Sequence, residues 1–337
     1  LFVVAMAGIL QAGAPNVRAI TEKVMDMAWD SFDDQYQDCS REMEKELEKL
    51  YSTEFQNKVY ADTWKNASKH WQSQWGNSNN QQVLPQEQAV AVLAYTDIGN
   101  LSKQLNDAML EGGRSRDYYL QSFPFKTLHF LLTEALHTLQ KTQSPKCNRV
   151  YRGVNGTRFT AQLNHAVRFG HFASASSQEN EARKFGNDTF FIVDTCYGVS
   201  IKNFSFRPKQ EEVLIPPYEV FKVTKVTSNS RTSTIHLKSQ GMCSTNNCTL
   251  VKGKGRWGAR IQTKSSLRIP ARAGGPGAPG APQRGCVRQS RADALGLGKE
   301  PPQQPPDLGV GRVRAPRSAA SQGPARAGLG AAPGRGV

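Results

Sequence analysis

The chain has 337 residues, 21% of them charged and 38% hydrophobic, with a formal net charge of +15 and six cysteines. Nearly half of that excess lies in residues 271–337, where nine Arg and one Lys face Asp293, Glu300 and Asp307, leaving +8 for the rest. No Lys/Arg run is interleaved with aromatic residues, so a dedicated nucleic-acid groove is not expected and nucleic acid is not a predicted partner.

Leu1 to Leu10 are almost entirely apolar and are followed by Ala12-Gly13-Ala14, an A-x-A pattern. Residues 1–14 therefore read as the later part of a secretory signal, too short to span a bilayer; the alternative is a buried N-terminal strand. Secretion suits the cysteines. Cys39, Cys147, Cys196 and Cys248 lie in well-patterned sequence, Cys243 is near Cys248, and Cys286 stands alone. No pair has C-x-x-C spacing, so no metal site is expected. Six N-x-S/T sequons, at Asn66, Asn100, Asn155, Asn187, Asn203 and Asn247, point the same way.

Residues 15–260 read as one folded unit, long enough for a sizeable core. Its first half is helical. Met43, Leu47, Leu50 and Tyr51 share a face of a segment that starts near Ser40, a candidate N-cap. Pro85 suits a first helical position ahead of Ala89, Val92, Leu93 and Thr96. Leu101, Leu105, Ala108 and Met109 mark a further helix that ends at Gly112-Gly113. The spacing of Leu128, Leu131, Leu132, Ala135, Leu136 and Leu139 predicts a helix over 125–142. The period then changes. Segments at 149–152, 166–169, 189–195, 211–215, 218–227 and 234–238 are short, rich in β-branched and aromatic residues, and separated by turn residues. Helices first and strands later predict an α+β fold: an N-terminal helical region packed on a C-terminal mixed β-sandwich. No GxGxxG follows a strand and no GxxxxGK[ST] occurs, so Rossmann and P-loop nucleotide sites are not supported. Residues 261–337, rich in Gly, Pro, Ala and Arg, hold too little apolar surface to offset chain entropy and are expected to be disordered. Their composition equally matches translated GC-rich non-coding sequence.

Three strand-associated clusters could carry chemistry. Tyr151-Arg152-Gly153-Val154 sets a guanidinium beside a glycine, which suits a phosphate or pyrophosphate approached closely by backbone. In Phe172-Ala173-Ser174-Ala175-Ser176-Ser177, alternation places Ser174 and Ser176 on one side. In Gln210-Glu211-Glu212-Val213-Leu214-Ile215-Pro216-Pro217, Glu212 begins an apolar strand and shares a face with Gln210 and Leu214. A carboxylate there can accept a ribose hydroxyl and stabilise an oxocarbenium-like sugar. Taken singly, the clusters also read as a solvated strand arginine, a Ser-rich turn before the polar helix 178–185, and a charged loop.

In this order the clusters resemble the R-S-E signature of the vertebrate ecto-mono-ADP-ribosyltransferases, the NAD(P)–arginine ADP-ribosyltransferases. The resemblance extends to Ser31-Phe32-Asp33-Asp34-Gln35-Tyr36, Ala94-Tyr95-Thr96, Gly113-Arg114-Ser115-Arg116, the segment 125–133 and Asn247-Cys248. It implies an NAD-binding core and transfer of ADP-ribose from NAD or NADP to an acceptor protein, with no metal. Arg152 would bind the NAD phosphate, Ser174 would hold the ribose and position the carboxylate, and Glu212 would stabilise the cation. Tyr95 and Ser205 fall where the family lies close to NAD; Tyr95 also reads as an aromatic closing a helix. The implied disulfides are Cys39–Cys248 and Cys147–Cys196. Gln210 stands where arginine-modifying members carry the first Glu of Glu-x-Glu, and a neutral amide offers a guanidinium no charged acceptor. The acceptor therefore stays open between arginine, another side chain and water (NAD glycohydrolase activity). A non-catalytic binding module with the same fold is disfavoured because Arg152, Ser174 and Glu212 are all present. Residues 271–337 hold no hydrophobic run of the kind that directs a lipid anchor, so the expectation is a secreted monomer without a membrane anchor.

Overall fold

The chain opens with β1 (Thr21–Val24) and a run of helices: α1 (Ser40–Glu44), α2 (Leu47–Glu54), α3 (Lys58–Trp75), α4 (Gln86–Thr96), α5 (Leu101–Gly112), α6 (Arg116–Ser122) and α7 (Lys126–Thr142). Then come β2 (Asn148–Val154), β3 (Thr157–Thr160), β4 (Ala166–Val167), β5 (Ala173–Ser176), α8 (Glu179–Arg183), β6 (Thr189–Thr195) and β7 (Val199–Ser200). The series ends with β8 (Glu212–Ile215), β9 (Glu219–Ser228), β10 (Ser233–Ser244) and β11 (Val287–Gln289). The computed structural model describes residues 20–76, 83–143, 146–229 and 232–252, and the backbone of β11. All fall in the first of two chain units, Leu1–Leu297; the second, Gly298–Val337, lies outside the described residues. So do the expected signal at 1–14, Cys286, and all of 261–337 except β11, which pairs with the end of β10.

The α+β order is as the change of period predicts, with local differences. The charged segment after Ser40 divides into α1 and α2, and Cys39 rather than Ser40 is the N-cap. The Ser40 hydroxyl, inside the helix, instead donates to Glu134 Oε1 at 3.0 Å. Pro85 is likewise the cap itself, one residue before α4. The long helix α3 has no counterpart in the pattern reading: its fully buried face is only Tyr60, Thr63 and Ala67.

The main sheet runs β4-β9-β10-β6-β2-β5-β8-β7, and β10–β6 is its parallel pair among described strands. Between β2 and β5 the ladder narrows to one registered pair, Tyr151 with Ser176. The two sides of that join fold over a shared core. Ala173, Ala175, Val213 and Ile215 from one side pack with Val150, Phe191, Val193, Phe221, Val223, Ile235 and Leu237 from the other. This is the expected mixed sandwich. Phe172, Val199, Ile201 and Leu214 join the helical core of α4, α5 and α7 instead. The β5-β8-β7 side is thus the middle layer, with sandwich on one face and helices on the other.

Buried charges tie the ends together. The Asp33 carboxylate accepts from Arg168 Nη1 (2.5 Å), Thr245 N (2.9 Å) and Asn246 N (2.9 Å), and both ion-pair side chains are fully buried. Asp34 accepts from the backbone N–H groups of Tyr36, Cys248 and Thr249, each at 2.8 Å. Cys39–Cys248 bridges the same two segments across a separation of 209 residues, and Cys147–Cys196 joins the start of β2 to the end of β6. Both bridges are those the resemblance implies. Cys243 is not free.

Two other buried carboxylates form no ion pair, although the charge of Lys126 acts on the first, Glu54. Glu54 caps α7, accepting from Lys126 N (2.6 Å) and Thr127 N (3.1 Å), and Glu219 accepts from Thr195 Oγ1 (2.5 Å) and Cys196 N (2.8 Å). Burial outweighs these bonds and pushes each from 4.5 up to about 7. Between those values the folded chain keeps protons on these two groups that the unfolded chain has released, so their contribution to stability declines as pH rises from 4.5 through about 7. Buried His129 and His171, lowered to about 3 and about 4, contribute in the opposite sense over the lower part of this range, so the test is a difference: the urea midpoint of the chain with both glutamates replaced by Gln should gain on that of the parent as pH rises through this range. A difference that does not change with pH contradicts the assignment.

Candidate active site

Strand pairing builds the site. β5 and β8 are antiparallel, with Ser176 opposite Glu212 and Ser174 opposite Leu214. Opposed residues share a face and neighbours alternate. Since Ala173, Ala175, Val213 and Ile215 fill the sandwich core, Ser174, Ser176, Leu214 and Glu212 face the helical layer. Leu214 is swallowed by the helices, and Glu212, only 8% exposed, enters the same interior at the strand's first residue.

Burial raises the Glu212 pKa; bonds from the Ser174 and Ser205 hydroxyls and the charges of Arg207 and Arg152 pull it back. Ser205 Oγ lies 3.2 Å from Glu212 Oε2 and also accepts Arg207 N at 3.1 Å. Arg152, half-buried, donates through Nη1 to the Ser174 carbonyl at 2.6 Å. Desolvation lowers its pKa, and the nearby Tyr95 and Glu212 oppose that shift. The three residues proposed from three separate strands therefore converge.

Tyr95 lies beneath them. Its hydroxyl donates to the Phe172 carbonyl at 2.8 Å and accepts from Asn106 Nδ2 at 3.1 Å. Asn106 further donates to the Phe172 carbonyl at 3.1 Å. The α4 and α5 helices thus hold the start of β5. His171 Nδ1 lies 2.8 Å from the same carbonyl, and burial beside Arg152 takes the imidazole down to about 4, neutral at ordinary pH. Asn106, His171 and Arg207 escaped the sequence reading. Only an amphipathic stripe marks Asn106, and nothing local marks the other two.

Gln210 departs from expectation. β8 starts at Glu212, and Gln210 ends a 3-10 turn, Pro208–Gln210, that Pro208 initiates. Glu211 is not extended but left-handed, at φ 47°, and its carboxylate meets Lys202 Nζ at 2.5 Å. Gln210 is half-buried, and its carbonyl accepts from Ser176 Oγ at 2.7 Å. Strand alternation therefore does not relate Gln210 to Glu212; Ser176 does, by anchoring the turn. Among the described residues no cluster of His, Cys, Asp and Glu could hold a metal.

Gly153 also serves differently from expectation. A Cβ there would lie 2.3 Å from the Ala182 carbonyl oxygen and 2.5 Å from that of Gly186. The glycine admits the backbone of α8 and of the turn that follows it, rather than a ligand. Gly153→Ala should cost about 1–3 kcal/mol, because backbone cannot step aside as a side chain can, and should disturb neighbouring Arg152. A thermal melt and NAD turnover check this; parental values for both would refute the packing account.

Residues 25–245 match the sequence profile of the NAD:arginine ADP-ribosyltransferase family. The erythroblast NAD(P)(+)–arginine ADP-ribosyltransferase of Gallus gallus is 56% identical over 235 residues, 70% of this chain and 78% of that protein. The GPI-linked NAD(P)(+)–arginine ADP-ribosyltransferase 1 of Homo sapiens is 47% identical over 245 residues, 68% of this chain and 75% of that one. The crystal structure of the eucaryotic mono-ADP-ribosyltransferase ART2.2 superposes with a TM-score of 0.58 at 35% identity, covering 67% of this chain and 98% of that one. A variant of ART2.2 has been solved in complex with NAD. With the strand order, the converging Arg, Ser and Glu and these likenesses together, the chain belongs to the NAD:arginine ADP-ribosyltransferase family.

Proposed function

We propose that the cleft at Arg152, Ser174 and Glu212 binds NAD and transfers its ADP-ribose to an arginine of an acceptor protein, releasing nicotinamide. The observation that carries this reading is a buried carboxylate held by two hydroxyls and faced by two cations. The guanidinium groups of Arg152 and Arg207 suit a pyrophosphate. Ser174, steadied by Tyr95, orients the carboxylate and the adjoining ribose; Ser205 holds the other side. Glu212 accepts the ribose 2′-hydroxyl and stabilises the charge that develops as the C1′–N bond breaks. The bonding pair leaves with the pyridine nitrogen, giving neutral nicotinamide. A guanidine nitrogen then forms the new C1′–N bond and loses a proton. NADP presents the same pyrophosphate, ribose and nicotinamide, and is a co-substrate on the same grounds.

Gln210 favours a second outcome at the same centre. Lacking a charge, it cannot pair with the target guanidinium or take its proton, which leaves water as a competing nucleophile and free ADP-ribose as product. The disulfides and the GPI-linked relative support an extracellular site of action. No described helix is long and apolar enough to cross a membrane.

Glu212→Gln keeps the hydrogen-bonding shape and removes the charge, so NAD cleavage should fall about 10²–10³-fold with an unchanged melt. Near-parental turnover in that variant refutes the assignment. Because burial raises the Glu212 pKa, cleavage in the parent should decline with acid at a pH above that of an ordinary glutamate. Gln210→Glu should raise arginine transfer several-fold relative to hydrolysis, measured with labelled NAD with and without agmatine. An unchanged ratio places the acceptor site elsewhere.

A further inference from the structure

We propose that Asn203 carries an N-linked glycan, and that this glycan restricts which proteins reach the acceptor side of the cleft. The inference rests on the acceptor assignment above and on passage of the chain through the secretory pathway.

Asn203-Phe204-Ser205 is one of the six sequons. Asn203 is exposed on the 3-10 turn Lys202–Phe204, while Phe204 behind it is buried against Trp75, ring centroids 5.8 Å apart. The turn is pinned from below, so a bulky group on the Asn203 amide extends into water without disturbing the core. The same turn packs against Pro208–Gln210, which ends in the acceptor-selecting residue. Three bonds hold the segment at the cleft: Ile201 N to the Glu212 carbonyl (3.0 Å), Lys202 Nζ to Glu211 (2.5 Å) and Ser205 Oγ to Glu212 (3.2 Å). The glycan root is therefore two residues from a hydroxyl bonded to the catalytic carboxylate. The proposed NAD contacts come from β2, β5, the Ser205–Arg207 segment and Glu212 of β8, and none is Asn203 itself.

Ser205 has two uses in sequence. In the nascent chain its hydroxyl completes the sequon. In the folded chain it is taken up by Glu212 and Arg207 N, so transfer has to precede folding. The donor is a lipid-linked oligosaccharide pyrophosphate. Its sugar C1–O bond breaks, a bond from C1 to Asn203 Nδ2 forms, the amide loses a proton, and the lipid pyrophosphate leaves with the electron pair.

The test is expression of the full chain behind a secretory leader in a eukaryotic host, followed by peptide mass mapping after amidase deglycosylation. The Asn203 peptide should carry the mass mark of a removed glycan. Asn203→Gln, and separately trimming of the folded parent by an endoglycosidase that leaves one sugar, should each raise transfer to a folded protein several-fold relative to agmatine. NAD hydrolysis should not change. An unmarked Asn203 peptide overturns the proposal, as does a protein-to-agmatine ratio that neither treatment moves. Mass mapping reads occupancy whether or not NAD is consumed, so failure of the enzymatic reading is seen separately.

Discussion

The alternation of β8 puts a carboxylate where hydrophobic burial would otherwise place an aliphatic side chain. Val213 and Ile215 are required by the sandwich core and Leu214 by the helices, which leaves the residue before them no choice of face. The four residues of this strand are all buried. A slip of one residue would send the aliphatic side chains to the wrong layers and turn Glu212 away from Ser174 and Ser205, so the packing that stabilises the fold also specifies the site. Ser174 is held by the same logic, since its neighbours Ala173 and Ala175 are core residues.

The molecule handles its buried carboxylates in three ways. Asp33 is paired with an equally buried guanidinium and four further donors. Glu54 and Glu219 accept only neutral donors through the bonds described, and burial drives both towards protonation. Glu212 lies between: hydroxyls bond it directly, while Arg152 and Arg207 act on it only through their field. A direct ion pair would have neutralised the carboxylate and occupied its oxygens. Cations held at a distance keep it ionisable and leave it able to accept from a sugar hydroxyl, and are themselves open to an anionic ligand. The arrangement is costly without a ligand, as expected where pKa values are displaced for chemistry rather than for stability.

Much of this was legible beforehand, for identifiable reasons. The α7 stripe is leucine-rich at unbroken helical spacing, and all six of its predicted core positions are buried. β6 appears over 189–195 as the residue types predict. The Arg, Ser and Glu clusters gained meaning only through their order and the wider resemblance, since nothing in a local window says that strands tens of residues apart will meet. The α3 helix was hidden because Tyr60, Thr63 and Ala67 make a weak hydrophobic stripe; the Tyr60 hydroxyl is satisfied by Thr127 Oγ1 at 2.8 Å, a partner 67 residues away. The left-handed Glu211 was hidden because no glycine or asparagine marks it, and Lys202 meets its side chain from outside the local window.

That left-handed residue explains why the two halves of the proposed reaction can vary independently. Glu212 is locked by a ladder that the core enforces from both faces. Gln210 sits one conformational break earlier, on a turn outside the ladder, attached through its carbonyl to Ser176 and through its neighbour to Lys202. Neither attachment depends on the Gln210 side chain. A change at that position can therefore alter the surface before the strand without moving the carboxylate within it. On the proposed reading, this separates the choice between a guanidine and water from bond cleavage, because the turn is held by its backbone and Glu212 by hydrophobic packing.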